Sequence, residues 1–195
     1  PTIPWPAAPQ KPQGKSRFIA CSSFFGWKNV HVIVEGFHQR AAGDREAELR
    51  VYGLSPEPLE PSYQERIVQM AQAIPSVHLQ TWDPNWLSQI RENDIFVHAA
   101  ETEPFGIVLL EAFAKGCPMV VPKGTFLDDL PEPHRSDGIF RSASVAPENF
   151  AEQMNRAAKS NGAELWERRR PVAELFSIGR TASTLAALYR SLGNS

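Results

Sequence analysis

Cysteine is nearly absent: the 195 residues hold two, Cys21 and Cys117, far apart and each within an apolar run. That excludes a disulfide scaffold and predicts buried, reduced thiols in a cytoplasmic protein. No apolar run reaches the roughly eighteen residues of a membrane span, and the start lacks a basic-then-apolar leader, so neither a spanning helix nor export is expected. An excess of one charge is missing too. Lys and Arg total 20 against 22 Asp and Glu, a formal net charge of -2, which gives no general electrostatic reason to bind nucleic acid or an acidic membrane surface. Any anion site must be local. The five histidines show no metal-ligand spacing, and the adjacent Asp128 and Asp129 are too little for a metal site, so no metal is expected. Internal repeats are absent, as is low complexity beyond the first residues.

Proline is unevenly present. Five of the seventeen fall in residues 1–15, which reads as an extended inter-domain linker before one domain at 16–195. A start at Pro1 rather than Met leads us to expect a natural fragment or a trimmed chain. From Arg17 onward, short apolar runs alternate with segments of helical period, the pattern of βαβ units. Strands are expected at RFIACS, ELRVYG, SVHLQTW, DIFVHAA, MVV and, more weakly, GIFR. Helical stripes run through Val30, Ile33, Val34 and Phe37, through Tyr63, Ile67, Met70 and Ile74, and along FGIVLLEAFAKG. A short helix is expected at Trp86 to Arg91. Further helices should cover Glu148 to Lys159, Ala163 to Arg169, and a last stretch with Ile178, Ala182, Leu185, Leu188 and Tyr189 on one face, Pro171 separating two of them. The fold class is therefore α/β, a Rossmann-like parallel sheet with helices on both faces.

Ligands of such sheets sit beyond the carboxyl ends of the strands, where helix N-termini offer free amides to anions. Two turns qualify, SSFFGWKN after the first strand and ETEPFG after the fourth. Glu103 precedes the expected helix and Glu111 lies inside it. Chemistry alone leaves two readings: a site, or a helix-end acid at Glu103 and a Glu111–Lys115 ion pair. His98 at a strand end reads as a hydrogen-bonded structural residue close to the same turn. The run Arg168, Arg169, Arg170 reads as a solvated face.

The run EPFGIVLLEAFAKGCPMVV resembles the glutamate-x7-glutamate motif and following Gly-x-Pro strand of retaining glycosyltransferases with the GT-B fold, family 4 or glycosyl transferases group 1. FIACSSFFGWKNVHVIVEGF resembles that family's first strand, phosphate loop and helix. LRVYG, SVHLQTW, DIFVHAAETE and FSIGRTASTLAALY follow in its order. The resemblance implies one half of a GT-B enzyme, the C-terminal domain that binds a nucleoside-diphosphate sugar of UDP or GDP type, with no further cofactor. Its partner would be an N-terminal acceptor-binding domain outside this chain, so the chain alone should bind donor without turnover. Peripheral membrane association through the parent enzyme stays open.

By position, Glu103 matches the glutamate that lies against the transferred sugar and Glu111 the one that takes the ribose hydroxyls. The amides of Phe105, Gly106, Ile107 and Val108 would meet sugar hydroxyls and diphosphate. Lys28 matches the phosphate-loop lysine, in a loop that includes Ser23 and Gly26. Ser23 stands where the family usually has an arginine. Arg17 lies at the wrong end of its strand to replace it. Trp82 falls near where relatives receive the base, for stacking or for plain packing. Gly124 and Thr125 of GTFLDDL could still approach the phosphates. The expected reaction is transfer of a hexosyl unit, with retention, to a saccharide or lipid-linked acceptor. A non-catalytic nucleotide-sugar-binding module is the alternative, and a GT-B sugar-nucleotide epimerase a third reading.

Overall fold

Each face of strand β1 (Arg17–Cys21) buries a different set of side chains, because successive residues of a strand point to opposite sides. Phe18 and Ala20 join one core, Ile19 and Cys21 another. The fold is that of a computed structural model, which describes residues 16–41, 47–91, 93–103, 106–160, 162–176 and 178–193. The expected linker at 1–15 lies outside them.

Five further strands follow: β2 (Glu48–Leu54), β3 (Val77–Thr81), β4 (Ile95–Val97), β5 (Met119–Pro122) and β6 (Ile139–Ser142). They pair in the order β3-β2-β1-β4-β5-β6, every pair parallel. Parallel neighbours need crossovers, which helices supply on both faces. Helices α1 (Val30–Ala41), α2 (Pro61–Gln72) and α4 (Pro147–Ala157) cover one core through Val34, Phe37, Ile67, Phe150 and Met154. On the other face, α3 (Ile107–Ala114) and α5 (Gly162–Ala173) contribute Leu109, Phe113 and Val172. Each large apolar side chain buried this way contributes roughly 1.5–3 kcal/mol. The chain is thus an α/β, Rossmann-like fold, as expected.

Several expectations are corrected. The segment after Trp86 is only a 3-10 turn, Trp86–Gln89. Pro171 does not separate two helices but sits inside α5, and a 3-10 turn at Glu174–Phe176 leads to α6 (Ile178–Gly193). Nor does the stripe of α6 pack: Leu185 is 46% and Tyr189 70% exposed, while the side chains of Ile178 and Leu188 lie outside the described set. Finally, the three-arginine run is not all solvated. Arg168 and Arg170 are exposed and pair with Asp137, Glu164 and Glu174. Arg169 is fully buried, donates to the carbonyls of Cys117 and Asp137 at 2.6 Å, and lies over the Phe113 ring. Charge counting along the sequence could not separate the three, because the partners of Arg169 are distant backbone oxygens. Among the described residues no helix is long and apolar enough to cross a membrane.

Candidate functional site

Sheet order reverses between β1 and β4, so the connections leaving them diverge and open a crevice at their carboxyl ends. A cavity of about 430 Å³ there is lined by Cys21, Ser22, Ser23, Lys28, Trp82, His98, Glu103, Gly106, Ile107 and Val108. Lys28 comes from the 3-10 turn Gly26–Lys28 after β1 and Glu103 from the loop after β4. The two form an ion pair, each side chain only 15% exposed. Lys28 is therefore not a solvated loop lysine, and Glu103 is more than a helix-end acid.

Local chemistry explains how the turn is held. Asn29 adopts a left-handed conformation, φ 53°, which asparagine tolerates better than most residues. From there its amide donates to the Ala99 carbonyl at 3.2 Å, tying the β1 loop to the end of β4. The Gly26 N–H donates to Glu60 Oε2 at 2.8 Å. Phe25 and Trp27 stack at 6.3 Å between centroids, and Lys28 Nζ lies 4.0 Å from the Trp27 ring centroid. Asn29, Glu60 and Trp27 were missed in the sequence. Only Asn29 carried a local signal, since Glu60 acts across 34 positions.

Two glycines are needed where the backbones crowd. A Cβ on Gly53 would stand 1.9 Å from the Ser22 carbonyl oxygen, so only glycine lets β2 close on the β1 loop. Gly106 has φ +62°, and a Cβ there would meet Glu103 Cγ at 2.7 Å. Intrahelical bonding in α3 begins with the Leu109 N–H donating to Gly106 at 2.8 Å. The amides of Ile107 and Val108 are thus outside the helix ladder, in residues that line the cavity.

Other expected residues fall elsewhere. Phe105 lies outside the described residues, and Gly26 and Glu111 do not line the cavity. Glu111 is half-buried beside β1: burial pushes its carboxyl up, while a hydrogen bond from Trp86 lowers it. Its charge also reaches Cys21, whose thiol is pushed up to about 12, mainly by burial. Neither Glu111 nor Lys115 figures among the groups that shift the other's proton affinity. Cys117 is likewise buried and pushed up to about 12, so neither free cysteine is a thiolate nucleophile at neutral pH. Ser23 is exposed, and no arginine stands among the described residues lining the cavity. Arg17 is bound to Asp94 at the opposite end of β1. Trp82 is 60% exposed, which removes the plain packing role. It also lines a second cavity of about 440 Å³ with Ser23, Phe25, Gly53, Pro56, Leu59 and others. Asp128 is engaged by Arg141 and by the Gly124 N–H at 2.7 Å, so that amide is already taken.

Residues 3–174 match the family model described as glycosyl transferases group 1. The chain belongs to this glycosyltransferase family. Among solved structures, this group 1 chain is similar to a glycosyltransferase from Rickettsia africae, at 17% identity and TM-score 0.76, over 94% of the chain and 50% of that structure. It is also similar to Anabaena HepE in complex with UDP and glucose, at 16% identity and TM-score 0.70, over 93% of the chain and 49% of that protein. Sucrose-phosphate synthase from Thermosynechococcus elongatus matches at 19% identity and TM-score 0.71, over 94% and 47%. The chain spans half or less of the length of these structures. No curated protein matches it in sequence. The shared parallel-sheet architecture is that of one half of the GT-B fold.

Proposed function

We propose that this chain is the donor-binding half of a retaining glycosyltransferase, holding a nucleoside-diphosphate sugar of UDP or GDP type, and that the complete protein transfers a hexosyl unit to a saccharide or lipid-linked acceptor in the cytoplasm. The observation that carries the reading is the Lys28–Glu103 ion pair at the sheet's switch point, beside the N-terminus of α3. UDP with a sugar in the Anabaena relative supports the ligand class.

In this reading the diphosphate draws Lys28 to itself, and the Ile107 and Val108 amides with the α3 dipole meet the remaining negative charge. Glu103, released from Lys28, accepts hydrogen bonds from the sugar hydroxyls. Glu111 serves the ribose and Trp82 stacks with the base along the second cavity. Catalysis then consists of positioning and of stabilising charge on the departing diphosphate. The acceptor and any proton-accepting group come from an N-terminal domain outside this chain.

Ser23 supports a second reading, a module that binds without transferring, because among the described residues lining the cavity the leaving group finds one cation where two would be usual. Incubating the full-length protein with UDP- and GDP-sugars, and analysing products by mass spectrometry, separates the readings. Transfer with the anomeric configuration retained supports the enzyme. Donor binding with no transferred sugar from any donor leaves the binding module, and an epimerised donor would point to the third chemistry.

A further inference from the structure

His98 follows β4 directly, and its backbone N–H donates to the Val120 carbonyl at 2.9 Å. Its imidazole is 2% exposed and lines the cavity. Yet Nε2 has no hydrogen-bond partner, and Glu103 Oε2 lies 3.6 Å away. A purely structural histidine would be satisfied here, since an unpaired buried polar atom is costly. Lys28 and Nε2 face the same carboxylate oxygen, Lys28 as its ion-pair partner and Nε2 at 3.6 Å.

We propose that His98 is the positioning residue for Glu103 in the donor-bound state: when a diphosphate takes Lys28, Nε2 closes on the vacated carboxylate and holds it against the sugar. This rests on the donor-binding reading above. The movement needed is small, from 3.6 Å to a hydrogen-bond length of about 2.8 Å. Lys28, from the turn after β1, and Glu103, from the loop after β4, are the charged groups acting on the ring. Burial foremost, then Lys28, holds the imidazole neutral down to about pH 4, and Glu103 opposes them. Departure of Lys28 removes a lowering influence and leaves burial alone to oppose Glu103. The ring then gains proton affinity, and even a neutral Nε2–H tautomer can donate to Glu103.

The coupling is measurable without any nucleotide. Lys28→Met imitates departure of the lysine, and the His98 resonance is assigned by its loss in His98→Gln. By NMR titration, His98 should titrate near pH 4 in the wild-type chain, at least one unit higher in Lys28→Met, and low again in Lys28→Met with Glu103→Gln. Equal midpoints in the wild type and Lys28→Met overturn the proposal. A second arm compares UDP-glucose with UDP by calorimetry. His98→Leu should lose several-fold more affinity for UDP-glucose than for UDP, with His98→Gln close to wild type. Retained UDP binding shows that the leucine variant is folded, and an unchanged ratio between the two ligands overturns the proposal. A wild-type chain that binds no UDP counts against the donor-binding reading, and the ligand-free titration still decides whether His98 and Glu103 are coupled.

Discussion

Lys28 is the one lysine or arginine among the described residues lining the cavity, and it stands paired to Glu103, pressed on the Trp27 ring and set on a turn that Glu60 clamps through Gly26. Its neighbour in the same cavity, Ser23, is exposed at the boundary of both cavities, so a longer side chain has room there. Restoring an arginine should therefore add a charged hydrogen bond to a bound diphosphate. We predict that Ser23→Arg tightens UDP binding by about 1.5–3 kcal/mol and steepens its salt dependence, as isothermal titration at two ionic strengths would show. Glu103 and Lys28 were legible in the sequence through resemblance: the glutamate-x7-glutamate run marks one, and the likeness of the loop after the first strand to the family's phosphate loop marks the other. His98 was read only as a structural residue. Its missing partner is a fact of three dimensions, since Lys28 and Glu103 meet it from different loops.

At the scale of elements, β1 and β4 carry the site at one end and an ion pair at the other. Arg17 donates through Nε to Asp94 Oδ1 at 2.9 Å and through Nη2 to the Gln89 carbonyl at 2.6 Å, while the Arg91 N–H donates to Asp94 Oδ2 at 2.6 Å. Both charged side chains are almost fully buried, so removing one strands the other. Asp94→Ala should lower stability by about 3–5 kcal/mol in urea unfolding. Strands and crossovers were readable from periodicity, since both faces of a parallel sheet demand apolar residues. Ends and interruptions were not. Pro171 is tolerated inside α5, where tertiary context overrides the local preference, and Leu185 and Tyr189 of α6 are exposed.

At the scale of the whole molecule, the chain matches its structural relatives over half of their length or less. Fold class followed from the alternation of strands and helices, and the family from the order of its motifs. The donor's base, the sugar and the acceptor had no signal in this chain, because a residue such as Glu60 or Trp82 acquires its role only from what faces it across a cleft. Binding and turnover are separate properties here. The central claim concerns binding, and it requires Lys28 and Glu103, which meet in the cavity, and Glu111, which does not line it, to act on one ligand.

Calorimetric titration of this chain with UDP and with GDP, repeated for Lys28→Ala and Glu111→Ala, tests that claim most directly. The account predicts saturable binding of one nucleotide by the wild type, weakened by about 1.5–3 kcal/mol in each variant through loss of a charged hydrogen bond. Affinity unchanged in both variants, or no binding of either nucleotide by a folded wild-type chain, would contradict it.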